Sequence, residues 1–200
     1  MRKVRSLFMK NKALLTFLIL LSLTLFSPSS AEARRGFSIG LGPIGNIFLI
    51  DTIPVLSPGI GGHVFFDYRF HDQIAFSTSF LISTQDGANV SNNDNNILFL
   101  GMPTTSVKFY FLTDEPKFDP FVQVGIGLYF LTEGSNSNNT GGVGVGSQLG
   151  LGFDYYLTEI ISLGFEGIFR PTAVITDFGT PSNSTAIFPY TLSGNIAFHF

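Results

Sequence analysis

Hydrophobic residues alternate with small or polar residues along most of the chain. The stretch GVGVGSQLGLGFDYYL, from Gly142 to Leu157, shows the pattern most clearly, because every odd position except Ser147 is apolar. Its even positions carry mostly glycine and polar residues. A period of two residues is typical of a β-strand whose two faces meet different surroundings. The chain is therefore predicted to be an all-β protein.

Eight stretches share this period, and turn-rich connections separate them. We predict strands at residues 36–42, 59–70, 73–84, 96–111, 119–132, 142–157, 160–171 and 186–200. The connections after the second, fourth and sixth strands are short, whereas the others are longer, and most of these are rich in Asn, Ser and Gly. The long connection at 43–58 is the exception, because it is apolar. Short turns at one end and long loops at the other are typical of a bacterial outer-membrane β-barrel, with both termini in the periplasm.

The two faces of the predicted strands differ in composition. One face is uncharged and is dominated by Phe, Ile, Leu and Val, whereas the other holds glycine, serine and a few isolated polar side chains. The polar and charged residues predicted on this second face are Asp67, Arg69, Lys108, Gln123, Asp154, Glu166 and Arg170. If this face met water, the sheet would need many more Lys and Glu side chains to stay soluble. The apolar face is therefore predicted to contact lipid, and the polar face to line a narrow interior.

Contact with lipid requires the sheet to close on itself. A backbone N–H or C=O group left unpaired in hydrocarbon costs several kcal/mol, so an open sheet edge is excluded. The predicted strands are long enough, since roughly 9–11 tilted residues cross a bilayer. We therefore predict an eight-stranded antiparallel up-and-down transmembrane β-barrel.

The first 33 residues are predicted to be a cleaved signal peptide. A basic segment precedes the apolar run from Ala13 to Phe26, and Ala31 and Ala33 supply the small residues of a cleavage site. The run would span roughly 21 Å as a helix, less than the ~30 Å of a hydrocarbon core. The predicted organisation is a signal peptide at 1–33 and an outer-membrane barrel domain at 34–200.

Loss of the signal peptide changes the charge of the chain. The remainder keeps 6 of the 11 basic and 13 of the 14 acidic residues, which gives a net charge of −7. This charge argues against nucleic acid as a partner, because nucleic-acid binding needs a basic surface. The sequence contains no cysteine, so disulfides and thiolate metal sites are excluded.

Three segments resemble the small outer-membrane β-barrel family, the OmpA-like and OmpX-like eight-stranded proteins. They are DYRFHDQIAFSTSF, DPFVQVGIGLYF and GVGVGSQLGLGFDYYLTEIISLGFEGIFR, and the resemblance extends over residues 34–200. It implies residence in the outer membrane and contact with its lipid. The chain ends in GNIAFHF, where Ile196, Phe198 and Phe200 look like the family's C-terminal assembly signal, which the barrel-insertion machinery reads.

The fourth predicted strand departs from the alternation. Leu98, Leu100 and Met102 would fall on the inward face there, and Pro103 would fall on the lipid face. We expect a β-bulge or a shifted register in this strand, because proline cannot donate to the ladder.

The polar residues of the interior are predicted to form a paired network. Five of the seven should lie in the periplasmic half, with Glu166 at mid-depth and Arg170 higher. An eight-stranded barrel is just wide enough to be filled by side chains, so we interpret the network as structural, with a gated ion path as the alternative. The upper interior is predicted to be partly apolar, through Leu131 and Ile168 together with the leucines and methionine of the fourth strand. This leaves open a narrow passage or pocket for small hydrophobic solutes.

The sequence offers no clear catalytic, cofactor or metal site. His63, His71 and His199 are too scattered for metal-ligand spacing. The predicted function is a non-enzymatic integral outer-membrane protein with a structural or surface-interaction role, whose loops meet external partners. A narrow channel is the alternative. An outer-membrane lipid-modifying enzyme is a lesser alternative, for which only His63 is suitably placed.

Overall fold

The computed structural model describes residues 35–49, 56–87, 96–111, 117–133, 141–176 and 183–200. The predicted signal peptide at 1–33 lies outside these ranges, and so do most residues of the four long connections. Within the described ranges, no helix is long and apolar enough to cross a membrane.

The described residues form ten antiparallel β-strands in a single closed sheet. The strands are β1 (Gly36–Phe48), β2 (Leu56–His71), β3 (Ile74–Gly87), β4 (Asn96–Tyr110), β5 (Phe118–Glu133), β6 (Gly141–Tyr156), β7 (Ile161–Phe169), β8 (Thr172–Thr176), β9 (Asn183–Ile187) and β10 (Pro189–His199). The order around the sheet is β5-β4-β3-β2-β1-β10-β7-β6, and the pairing of β6 with β5 closes it. We call the end that carries Gly36 and Phe200 the terminal end, and the opposite end the loop end.

The ten strands make up an eight-stranded barrel. β7 and β8 are two parts of one barrel strand, since β6 keeps the same register along both: Leu149 pairs with Phe169, and Gly146 pairs with Thr172. Pro171 lies at the break, where it cannot donate to the ladder. β9 and β10 likewise continue one another opposite this strand. The predicted eight-stranded antiparallel architecture is therefore confirmed.

Several barrel strands are longer than the sequence analysis predicted. The first continues beyond residue 42 to Phe48, and β8 and β9 occupy residues predicted to be a connection. Pro43 was interpreted as the start of a loop, but it pairs with Gly62 of β2. On its other side, the β1–β10 ladder passes from Leu41 to Ile44 without a pair. Proline is tolerated here because only one of its two neighbouring strands loses a hydrogen bond.

The expected irregularity in the fourth strand is present. The register of β4 shifts between Gly101 and Thr104 against β5, and both Met102 and Pro103 are exposed on the outside. The Met102–Pro103 peptide bond is cis.

Because of this shift, the side chains in the upper half of β4 that strict alternation assigns to the interior point outward, and their neighbours point inward. Phe99 is completely buried, and Leu100 pairs with Ile82, an outward-facing residue of β3. The prediction that Leu98, Leu100 and Met102 line the interior was therefore wrong. Simple alternation fails across a bulge because the side chains of two consecutive residues, here Met102 and Pro103, lie on the same face of the sheet.

The outside of the barrel is apolar, whereas the charged side chains that the structure describes in the strands lie inside. Exposed side chains include Ile60, Ile126 and Phe165, of which Ile126 is 64% exposed although it lies in the middle of β5. By contrast, Asp154 and Glu166 are only 8% and 7% exposed. This distribution is the reverse of that in a soluble β-barrel and is the one expected of a barrel surrounded by lipid.

Short-range contacts fasten the terminal end. Gly36 has a φ of 124°, and a Cβ atom there would overlap the carbonyl oxygen of Phe200. The N–H of Phe200 donates to the carbonyl of Phe37 at 2.8 Å. Arg35 donates two hydrogen bonds, of 2.6 and 2.7 Å, to the carboxylate of Asp72 in the β2–β3 turn. These hydrogen bonds hold the pKa of Asp72 below its usual value.

The outward face of β5 provides a test of lipid contact. Ile126→Arg is expected to destabilise the folded barrel by about 2–4 kcal/mol, because a cation near the bilayer midplane loses its hydration. The measurement is urea unfolding in lipid vesicles, with the SDS-resistant band before boiling as a second readout. Ile126→Ala controls for the loss of the side chain. An arginine variant as stable as the alanine variant would mean that this face does not contact lipid.

Candidate functional site

All seven polar residues predicted for the interior are buried there. They are Asp67, Arg69, Lys108, Gln123, Asp154, Glu166 and Arg170. Each lies at an inward position of its strand, and successive inward residues of one strand lie at successive depths. The network therefore extends from the terminal end to the upper half of the interior.

Arg69 organises the layer nearest the terminal end. Its Nη1 lies 2.6 Å from Oδ2 of Asp119, and its Nη2 donates to the backbone carbonyl of Asp72. The guanidinium carbon lies 3.9 Å from the centre of the Tyr110 ring. The hydroxyl of Tyr110 in turn donates to Asp154 at 3.2 Å. Arg69 thus links β2, the β2–β3 turn and β5, with an aromatic ring beneath its charge.

Lys108 forms the second ion pair. Its Nζ lies 2.7 Å from Oδ2 of Asp67, and both side chains are almost fully buried. The same Nζ lies 5.0 Å from the centre of the Phe65 ring and 4.8 Å from that of Phe121. A carboxylate and two aromatic faces therefore surround this cation, which offsets part of the cost of removing it from water.

Glu166 is the centre of the next group. Gln123 Nε2 donates to one of its oxygens at 3.0 Å, and the hydroxyl of Ser193 donates to the other at 3.1 Å. Ser106 donates to the amide oxygen of Gln123 at 3.0 Å. His63 Nε2 lies 3.8 Å from Glu166, and neither ring nitrogen of His63 has a hydrogen-bond partner among the described residues. Two donors on two strands, Gln123 on β5 and Ser193 on β10, therefore converge on one carboxylate.

Arg170 lies where the polar and apolar parts of the interior meet. It is 3% exposed, and its Nε and Nη1 have no hydrogen-bond partner among the described residues. Beyond it, toward the loop end, buried apolar residues fill the barrel: Ile44, Leu81, Phe99, Tyr129, Leu131, Val174 and Ile187. The rings of Phe99 and Tyr129 stack with their centres 5.5 Å apart. Leu131 and Ile168 are buried, in the positions that the sequence analysis gave them.

Glycine residues make room for the larger interior side chains. A Cβ atom at Gly40 would overlap the ring of Phe65, and one at Gly127 would overlap the Tyr129 side chain. The even-numbered glycines in the opening pattern of β6 serve the same purpose, as Gly152 does beneath Phe121. The small residues therefore accommodate a filled interior and do not create an open one.

Sequence reasoning missed several members of the interior. Asp119 is completely buried and pairs with Arg69, but it was interpreted only as the beginning of a strand. Its position relative to Gln123 on β5 already indicated an inward side chain. Tyr110 shares the inward side of β4 with Lys108 in the same way.

The arrangement of the histidines gives little support for catalysis. His199 forms a hydrogen bond of 2.8 Å with Ser162, whose side chain is completely buried. Ser193 and His63 each approach Glu166 from separate strands. Across the described ranges, no group of three His, Asp or Glu side chains is arranged to hold a metal ion.

Removing one member of a buried ion pair provides a test of the network. Lys108→Met is expected to lower the free energy of unfolding by about 3–5 kcal/mol, because Asp67 would stay buried without its cation. Adding Asp67→Asn should recover a large part of this loss. The measurement is urea unfolding in lipid vesicles, with Lys117→Met, at an exposed position, as the matched control. A double variant no more stable than Lys108→Met would contradict the pairing.

Known proteins share both the sequence pattern and the fold. The family described as "Outer membrane protein beta-barrel domain" matches residues 15–178. The fold is similar to that of Neisserial surface protein A, at 13% identity and a TM-score of 0.63 over 87% of this chain and 100% of that one. It is also similar to the attachment invasion locus protein Ail of Yersinia pestis, at 12% identity and a TM-score of 0.57 over 84% of this chain and 100% of that one.

A third similar structure is OprG of Pseudomonas aeruginosa. It shares 15% identity and a TM-score of 0.57, over 83% of this chain and 96% of that one. No curated protein matches the chain in sequence. Identities this low carry information about the fold, whereas the family match covers most of the sequence. The chain therefore belongs to the outer-membrane protein β-barrel domain family and resides in the outer membrane.

Proposed function

We propose that the protein is a non-enzymatic, side-chain-filled barrel that does not conduct ions and that presents its loop end for a structural or surface-interaction role. The observation that carries this proposal is the filling of the interior in two tiers. The tier near the terminal end consists of paired charges, such as Lys108 with Asp67. The tier near the loop end is the packed apolar cluster around Phe99 and Tyr129. An ion would have to displace both tiers to cross.

The alternative, a passage for small hydrophobic solutes, has less support. It rested on an apolar upper interior with free space, lined in part by Leu98, Leu100 and Met102. β4 turns these three side chains away from the interior after its bulge. Phe99 occupies the interior in their place and packs against Tyr129, so the upper interior contains a packed apolar cluster.

The long connections are the proposed site of contact with an external ligand or surface partner. Ail of Yersinia pestis, which has a similar fold, has been determined in complex with the heparin analogue sucrose octasulfate. In this chain, the segments 50–55, 88–95, 134–140 and 177–182 contain no Lys or Arg. A polyanion would find no positive charge on them, so we propose a neutral or cationic partner.

Planar-bilayer recording tests the filled barrel. The purified protein is expected to produce no stepwise ion conductance. The Lys108→Met and Glu166→Ala variants are expected to produce none either. Lys117→Met, at the exposed terminal end, is the matched control. Conductance steps whose ion selectivity changes in the Lys108 or Glu166 variant, but not in the Lys117 variant, would replace this proposal with the gated ion path.

Unchanged lipid A in a strain lacking the gene would argue against the enzymatic alternative.

We also propose that the barrel-insertion machinery recognises the last strand. β10 closes the barrel against β1, and its outward residues include Phe198, followed by Phe200, which is 79% exposed at the end of the chain. Ile196 lies two positions before Phe198 and is half-buried. This alternate apolar pattern would be accessible before β10 pairs with β1.

Deletion of Phe200 distinguishes recognition by the insertion machinery from a contribution of Phe200 to the stability of the barrel. The deletion is expected to reduce the amount of SDS-resistant barrel in cell membranes several-fold, while refolding of the purified chain into detergent micelles remains nearly unchanged. Phe118→Ala, at an exposed aromatic position of β5, is the control for general loss of a lipid-facing ring. Equal losses in cells and in micelles would mean that Phe200 acts only through stability.

A further inference from the structure

The terminal end of the interior contains a small cavity of about 10 Å³. Residues from β1, β2, β3, β4, β6 and β10 line it, among them Ser38, Asp67, Arg69, Asp154, Ala197 and His199. A space of this size accommodates about one water molecule. Ordinary interior packing would leave it empty only if its walls were apolar, and they are not.

Two residues that line this cavity each have a buried polar atom without a hydrogen-bond partner among the described residues. These atoms are Oδ1 of Asp67 and Nε of Arg69, which belong to neighbouring inward side chains of β2. Asp67 is 6% exposed and Arg69 is 5% exposed. Their other polar atoms are engaged, by Lys108 in the first case and by Asp119 and the β2–β3 turn in the second. A buried group without a partner is expensive, so both atoms call for a ligand in the cavity.

The chemistry of the two atoms selects the kind of ligand. The carboxylate oxygen of Asp67 accepts hydrogen bonds only, and the Nε–H of Arg69 donates only. A metal cation would face the Arg69 charge, and an anion would face the carboxylate. A neutral molecule that both donates and accepts suits both atoms, and the volume limits it to the size of water.

We propose that this cavity is a built site for a single water molecule, which accepts a hydrogen bond from Arg69 and donates one to Asp67. The water joins the Lys108–Asp67 and Arg69–Asp119 ion pairs into one network. Ser38, the cross-strand partner of Asp67, also lines the cavity, together with Ala197 and His199 of the last strand. The site therefore lies between the ion pairs and the seam where the barrel closes.

An isosteric pair of substitutions at Ala197 tests the polar character of the cavity. Ala197→Thr and Ala197→Val add side chains of nearly equal size and shape, and both favour β-structure. Both displace the water, but only threonine supplies a hydroxyl that can replace its hydrogen bonds. The threonine variant is expected to unfold about 3 °C or more above the valine variant, measured by loss of the SDS-resistant band on heating. A valine variant as stable as the threonine variant, or more stable, would show that the cavity is a dry void and would overturn the proposal.

A high-resolution crystal structure of the wild-type barrel gives a second, independent test. Electron density for one water within hydrogen-bond distance of Asp67 Oδ1 and Arg69 Nε is expected, and its absence would overturn the proposal even if neither Ala197 variant folds. Replacing sodium with choline at constant ionic strength is expected to leave the unfolding temperature unchanged. A fall of several degrees would point to a bound sodium ion in place of water and would equally overturn it.

Discussion

Pairing of the backbone in a medium without water is the constraint on which this structure depends. Lipid offers no hydrogen bonds, so every strand must have two neighbours and the sheet must close on itself, as it does through the pairing of β1 with β10. The same constraint explains where proline is found. Pro43 loses its partner only on the β10 side, and Pro171 falls between two strands that keep a common register. Each proline removes one donor from the ladder without opening an edge, so the wall stays continuous.

Closure at eight strands then sets the size of the interior, and the size sets its composition. A barrel this narrow must be filled by its own side chains, because empty space would forfeit packing contacts throughout the interior. Phe65 fits over Gly40, and Tyr129 fits over Gly127. Charges can be placed in such an interior only with compensating partners, either an opposite charge or hydrogen-bond donors, since an uncompensated ion costs several kcal/mol. Lys108 meets this requirement with one carboxylate and two aromatic rings. The filling is thus a consequence of closure.

Much of this arrangement follows from local patterns, and the rest does not. Alternation alone predicts eight strands, the lipid-facing side and the inward direction of all seven predicted polar residues. It fails in upper β4, because the bulge at Met102 and Pro103 shifts the pattern by one residue and nothing local fixes its position. It also cannot say that Lys108 pairs with Asp67, two strands away across β3. Such pairs depend on the stagger of the closed sheet, which is a property of the whole barrel.

The interior contains charges although an apolar filling would be at least as stable. The reason lies in the register of the strands. A strand that slips by one residue exchanges its two faces. If both faces were apolar, a slipped β4 would cost little, because lipid and interior would accept either set. With Lys108 and Arg170 on the inner faces, a slip exposes a cation to lipid at a cost of up to about 2–4 kcal/mol for each. It also leaves Asp67 or Glu166 without compensation inside. The buried charges therefore act mainly by favouring one register of the strands over others, and less by stabilising the folded barrel. This accounts for a charged network in a barrel whose interior is filled.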